Sequence, residues 1–508
     1  MGRFCEGSPF PEDRVPQLQG LRFPVFPFSF FVWTNAGMLR RTALDKFIGK
    51  GYNDTGKTDI PVNQLLYQNK GDVFSMTYSE TLAWLHSMPR LHREPTLLRM
   101  RRLLSYLGDP QDRLWGRFLH VTGTNGKGSA CAFLTNSLMR AGYRVGRYIS
   151  PFIMEFRERM EVNGVQISEE EVCALGETLR KAVARYEAET GELPLEFELV
   201  TAMGFLWFAK SGCDLVVLEV GIGGLYDPTN VVEPLLSLIM RVDYDHTEIL
   251  GPTLADIAAQ KAGIIKENRP CVVYPENTEE VFNVIHTKCE AMHSEMLVPS
   301  IADAAVTEAR PGKLSFTYRD IPYMLRLSGL YQLRNALCAV EALSLLPKLG
   351  FPVSVKAIQD GLADTTFPAR FEVLSEQPIV ILDGAHNASG MAVLRESVDR
   401  YFPERPLLCL CGMLRDKSPE TALSEMLLPG RIQYTACITP PTPRAMDAAN
   451  LAEIFRAHGI PADGYPTIND ALAALSERNP DAELPIICFG SLYSAGDIRR
   501  AFSHMGED

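Results

Sequence analysis

The chain has 508 residues, 46% of them hydrophobic and 22% charged, an ordinary balance for a globular enzyme of about two to four domains. Its net charge of −12 argues against a broad, sequence-independent grip on nucleic acid, which needs clustered Lys and Arg, but leaves room for a small basic pocket facing an anionic substrate. Eleven cysteines without a Cys-x-x-Cys pair, most of them in apolar runs, point to free thiols in a reducing compartment and away from a disulfide framework or zinc.

Residues 21–33 (LRFPVFPFSFFVW) are apolar and aromatic, but Pro24 and Pro27 break any helix there. The run is too short to span a bilayer and lacks a small-residue cleavage site, so neither a membrane span nor a signal peptide is expected. The residues up to about 75 show little periodicity. Met76 then opens MTYSETLAWLHSMPR, an amphipathic helix, and the folded enzyme is expected to begin near it, leaving 1–75 as an irregular extension.

From Arg117 the pattern is β-α-β. RFLHVTGT reads as a buried strand, GTNGKGS as a turn and SACAFLTNSLMRAGY as a helix stopped by Gly142. Helices are expected at 168–188 and 196–210. LVVLEVG, LLSLIMRV and PCVVYP are continuous apolar strands, as buried parallel strands are. A second block opens near Arg370, with strands at IVILDGAH, LLCLCGML, QYTACITP and IICFGS and helices at about 390–401, 418–427 and 446–458. DTTFPARFE, with Pro368, is the linker candidate between the two blocks. Strands alternating with helices predict an α/β protein, a doubly wound sheet followed by a smaller α/β unit, with boundaries at 76–366 and 372–508.

The strongest chemical signal is Gly123-Thr124-Asn125-Gly126-Lys127-Gly128-Ser129 between a strand and a helix. Glycines let backbone amides turn inward around phosphate oxygens, and the helix N-terminus adds partial positive charge. Lys127 can reach the β- and γ-phosphates, and Ser129 offers a hydroxyl. The match to the P-loop is imperfect, with Val121 at the first glycine position and Gly128 where Ser or Thr is usual. A phosphate loop calls for Mg²⁺, a hard ion that takes oxygen ligands. Candidates are Ser150, Glu219 and His246; Ser150 and Glu219 sit at C-terminal strand ends, where α/β sheets place ligands. A lone histidine is more often structural, so His246 is the weakest of the three on local grounds. Lys261, in ADIAAQKAGIIK, reads locally as a solvated helix lysine, and Asp383-Gly384-Ala385-His386-Asn387 as a strand-to-helix turn with capping residues.

Taken in series, GTNGKGS, the Ser-Pro segment after the next strand, Phe197-Glu198-Leu199-Val200-Thr201 (FExxT), Glu219–Gly224 (EVGxGG), Asp245–Gly251 (DHTxxLG), KAGIIK, DGAHN and GSLY resemble the folylpolyglutamate synthase/dihydrofolate synthase family, a branch of the Mur ligase superfamily. The resemblance runs from about Met76 to Arg499. It implies a P-loop-containing, Mur ligase-like central domain and a smaller Rossmann-like glutamate ligase domain. It implies ATP and Mg²⁺ as cofactors, with Gly123 to Ser129, Asn335, Arg370, Asp383 and His386 around the nucleotide and Ser150, Glu219 and His246 at the metal. Lys127, His246, Lys261 and Glu198 fall on active-site positions, and Lys261 matches a lysine that becomes N6-carboxylysine. The activity implied is ATP-dependent ligation of L-glutamate to a pterin or folate acid by a cytoplasmic monomer, with no nucleic acid or membrane partner. Phe152, Leu225 and Tyr331 depart from the family's usual His, Arg and His; all three fall on the substrate side. A Mur-type ligase with a divergent acceptor, or a nucleotide-binding relative without catalysis, would share many of these motifs.

Overall fold

The structure, a computed structural model, describes residues 76–90 and 95–504. The expectations for residues 1–75 lie outside the described residues, apart from the helix that Met76 opens, which runs Tyr78–His86 behind a Thr77–Glu80 capping box.

The first strands are β1 (Phe118–Thr122), β2 (Val145–Tyr148), β3 (Met160–Val162), β4 (Val165–Gln166), β5 (Leu215–Glu219), β6 (Pro234–Ile239), β7 (Cys271–Val273) and β8 (Met296–Leu297). They form one sheet in the order β4-β3-β2-β5-β1-β6-β7-β8. The pairs from β2 through β8 are parallel, and β3 and β4 add an antiparallel edge. Both faces are covered. Leu119, Val121, Leu215 and Val217 pack towards helix Lys127–Arg140. Phe118, Val216 and Leu218 pack towards helices Glu169–Thr190 and Glu196–Lys210. Two-sided burial is why these strands read as unbroken apolar runs. The chain steps outwards in both directions from β1, so a crevice opens at its C-terminal end.

Late in the first block lies a sheet beyond the strands expected there, β9 (Ala304–Arg310), β10 (Lys313–Tyr318) and β11 (Ile321–Leu325), antiparallel throughout. Leu314, Phe316 and Tyr318 alternate inwards onto the core of the first sheet.

The last sheet contains β12 (Glu372–Glu376), β13 (Ile379–Leu382), β14 (Leu407–Cys411), β15 (Ile432–Ile438), β16 (Ala462–Tyr465) and β17 (Ile486–Phe489) in the order β12-β13-β17-β14-β15-β16. Only β12 runs antiparallel. The expected linker is not a solvated tether. Phe367 is buried in the first unit's core, while Ala369 and Phe371 are buried in the second's. The expected helix at 418–427 shortens to Pro419–Leu423.

Helix Val355–Asp364 crosses Lys127–Arg140 at close range: a Cβ on Gly361 would lie 2.3 Å from Ser137 Cα and 2.4 Å from its N. Gly361→Ala must push the two helices apart. It should lower stability by about 1–3 kcal/mol, as overpacking typically does, and urea unfolding reads that as a lower midpoint.

Candidate functional site

Helix Lys127–Arg140 begins directly behind the turn that follows β1, and no side chain caps its first amides. Two glycines shape that turn. Gly126 has φ +88°, and a Cβ on Gly123 would lie 2.7 Å from the Met240 Cβ. The loop is stitched to the residues after β6: Thr124 N and Asn125 N donate to Arg241 O (2.7 and 3.3 Å), and Thr124 Oγ1 donates to Asp243 O at 2.9 Å. Lys127 Nζ folds back to donate to Gly123 O (2.9 Å) and Thr124 O (3.2 Å), which leaves its charge on the loop's concave side.

Glu219 ends β5 almost fully buried, and its Oε2 accepts from Ser150 N at 3.1 Å. Burial pushes its carboxyl above the ordinary range, against the pull of the nearby Lys127 ammonium. His246 sits in the left-handed region, with φ +50°. Burial lowers its imidazole, with Asp245 opposing, so it is neutral at pH 7 and able to ligate. Among the described residues no three His, Cys, Asp or Glu side chains converge to hold an ion unaided. A buried carboxylate with a serine and a neutral imidazole in the same wall nonetheless fits an ion that keeps water and phosphate oxygens as its other ligands.

Lys261 is not the solvated lysine its local sequence suggests. It is 3% exposed. Burial first, and the Lys127 charge second, push its ammonium down to about 7. The glycine-rich bend after Glu219 fastens onto its helix through Leu225 N donating to Gln260 O at 2.7 Å. Asp227 holds the same bend, its Oδ2 accepting from Gly221 N and Ile222 N at 3.1 and 3.0 Å.

The second sheet supplies the facing wall. Asp383, after β13, is 4% exposed and accepts from Tyr331 Oη (2.6 Å), Phe371 N (2.9 Å) and Ala385 N (2.8 Å). The Arg370 guanidinium donates to Ala369 O at 3.0 Å and lies over the Phe367 ring. His386 Nδ1 lies 2.8 Å from Gly384 O, an acceptor, so Nδ1 carries the proton and Nε2 is bare. Burial and the Lys417 charge push this imidazole down to about 4. Asn387 caps the helix Ala388–Tyr401, as its turn suggested. Asn125 reaches across to Ser389 Oγ at 2.7 Å.

One cleft collects Thr124 to Gly128, Ser150, Glu219, His246, Asn335, Arg370, Asp383 and His386. Four predicted residues lie outside its lining. Gly123 is under the loop, and Ser129 is buried with its Oγ accepting from Gln332 Nε2 at 3.0 Å. Lys261 sits behind the wall. Glu198 closes a helix start, accepting from Leu195 N at 2.8 Å, and pairs with Arg99 at 3.2 Å. The cleft also includes Arg241, Tyr274, Asp245 and Ser389, which sequence reasoning did not assign a role. For Arg241 a signal existed, a cation ending the apolar run LLSLIMR.

Residues 121–343 match the family model of the Mur ligase middle domain, and residues 369–492 that of the Mur ligase glutamate ligase domain. The chain is 34% identical to the dihydrofolate synthase/folylpolyglutamate synthase of Bacillus subtilis over 83% of its own length and 98% of the relative's. Among solved structures it is similar to Escherichia coli FolC in complex with DHPP and ADP (26% identity, TM-score 0.74, covering 85% of this chain and 99% of that one). It is also similar to a folylpolyglutamate synthase complexed with AMPPCP and folate (31% identity, TM-score 0.71, covering 84% and 99%).

Proposed function

The chain belongs to the dihydrofolate synthase/folylpolyglutamate synthase family, the ATP-dependent glutamate ligases of Mur type, and we propose that the cleft between its two α/β units performs that ligation with the residues assembled there. The observation that carries the assignment is the convergence of the phosphate loop, Glu219 and His246 from one sheet with Arg370, Asp383 and His386 from the other. Residues 76–366 hold the phosphates, and residues 372–508 close over the nucleotide.

A carboxylate is a poor electrophile. The acid therefore takes the γ-phosphoryl group of ATP, giving an acyl phosphate and ADP; the amine of L-glutamate then attacks the acyl carbon and expels phosphate. Phosphoryl transfer is mostly positioning and charge stabilisation. The loop amides and the Lys127 ammonium face the phosphate chain, and Arg370 adds a second cation from the opposite wall. Ser150, Glu219 and His246 would hold Mg²⁺, which when bound neutralises phosphate charge. Asn335, Asp383 and His386 contact the nucleotide. Glu198 supports the wall through its helix and does not touch the reacting atoms. Lys261, held near neutrality, adds its amine to CO₂ and loses a proton, becoming a carbamate beside Lys127. Closure of the second unit keeps water from the acyl phosphate.

The acceptor is a pterin or folate acid, either dihydropteroate or a reduced folate, and the enzyme works as a cytoplasmic monomer. Among the described residues no helix is long and apolar enough to cross a membrane, and the ten cysteines there are all unpaired. Dihydropteroate and tetrahydrofolate, each offered with ATP, Mg²⁺ and glutamate and read by product mass, test the reading. A product heavier by one glutamyl unit, with phosphate release requiring both acid and glutamate, is expected. No phosphate release with either acid and glutamate would leave a Mur-type ligase with a divergent acceptor or a non-catalytic nucleotide-binding relative in its place.

A further inference from the structure

Lys417 ends a short turn (Arg415–Lys417) beyond β14, on the second sheet. Its Nζ donates at 2.6 Å to Oδ1 of Asp245, 172 residues away on the first unit, and the two side chains are only 10% and 15% exposed. The same Oδ1 accepts from the backbone N of His246 at 2.9 Å. His246 carries φ +50° and ψ 37°, a left-handed conformation that a residue with a Cβ keeps only where its surroundings over-determine it. From the far side its carbonyl accepts from Ile249 N and Leu250 N, both at 2.9 Å. The strained residue is therefore held between a helical turn of its own unit and a carboxylate that is itself anchored to the other unit.

Two features separate this pair from an incidental ion pair. Other contacts already join the units, among them Asn125 to Ser389 and Tyr331 to Asp383, so a buried ion pair is not needed merely to hold them together. Lys417 also does not line the cleft, where a lysine acting on phosphate would have to be, and its ammonium is engaged by Asp245. We propose that Lys417 is a positioning residue: docking of the second unit sets the conformation of His246 through Asp245, so the histidine is aligned only when the two units are together. The consequence for turnover rests on the ligase reading above; the consequence for the loop does not.

The test uses the full chain with Lys417→Met and Lys417→Arg. In nucleotide-free protein, hydrogen exchange at the Ile249 and Leu250 amides should quicken by about tenfold or more in Lys417→Met, because their local opening becomes easier. The amides of Gly390 and Met391, on the second unit, should not change. In ligation assays kcat should fall while the KM for ATP stays near that of the wild type, and Lys417→Arg, which keeps the charge, should recover both readouts in large part. Should Lys417→Met fail to fold, Asp245→Asn carries the same measurement, since it keeps the side chain's shape and loses the charge. Unchanged exchange at Ile249 and Leu250 overturns the proposal whatever the activity does, and so does faster exchange with undiminished ligation. If the wild type ligates nothing, the ligase reading fails while the exchange measurement still decides the loop.

Discussion

Lys127→Ala is expected to lower kcat for ligation by about 10²–10³-fold or more, the range seen when one preorganised charge facing a reacting group is removed. The loop would survive the change. Lys127 Nζ makes two bonds, but both go to carbonyls of its own turn and neither reaches another element. The turn is otherwise fixed by the Thr124 and Asn125 amides on Arg241 O and by Thr124 Oγ1 on Asp243 O. The far-ultraviolet dichroism and melting temperature should therefore stay close to those of the wild type. What disappears is the cation beside Glu219, a buried carboxylate whose pKa Lys127 pulls down more than any other neighbour does. The measurement is steady-state phosphate release with acid and glutamate present, paired with a thermal melt. Full turnover by the alanine variant would remove Lys127 from the phosphate site.

The parts of this site that were legible in the sequence are those whose chemistry is local. A buried parallel strand announces itself as an apolar run, and the residues just past its C-terminal end (Gly123 to Lys127, Ser150, Glu219, Asp383) are then placed by topology. Residues whose role depends on a distant partner were not legible. Lys417 and Asp245 are 172 positions apart, and nothing around either predicts the pair. Lys261 has the neighbours of a surface helix lysine; only the bend at Gly224–Leu225, packed over it, makes it a buried one. Ser129 shows the opposite case. Its place in the motif suggested phosphate, but one residue further along the helix its hydroxyl points into the core towards Gln332. The sheet at 304–325 carried its signal unevenly: β9 is largely exposed and shows none, while Leu314, Phe316 and Tyr318 alternate over the six residues of β10, a period-2 signal that the longer apolar runs on either side overshadowed.

Lys261→Met should make the protein more stable and inactive at once. In the folded chain the lysine is buried, and its ammonium is pushed from 10.5 down to about 7 by burial and the Lys127 charge, with Asp245 and Asp227 opposing. At about 1.4 kcal/mol per pKa unit, that displacement is a destabilisation on the order of 5 kcal/mol, which a methionine of similar length would not carry. The sign sets the pH dependence. Below about pH 7 the lysine is protonated in both states and the full penalty applies. Between about 7 and 10.5 the folded state gives up its proton while the unfolded state keeps it, so wild-type stability rises with pH. The variant's advantage, measured by urea unfolding, should be largest near neutrality and fade towards pH 10.5. The Lys127 charge that disfavours an ammonium at this position favours a carbamate. Added bicarbonate should therefore raise the melting temperature of the wild type and leave that of the methionine variant unmoved, since only the lysine can take up CO₂. Loss of ligation should accompany the gain in stability, because methionine cannot form the carbamate proposed for this position. A variant that ligates at the wild-type rate, or that is less stable than the wild type at pH 7, would mean that Lys261 is merely packed and neither strained nor modified.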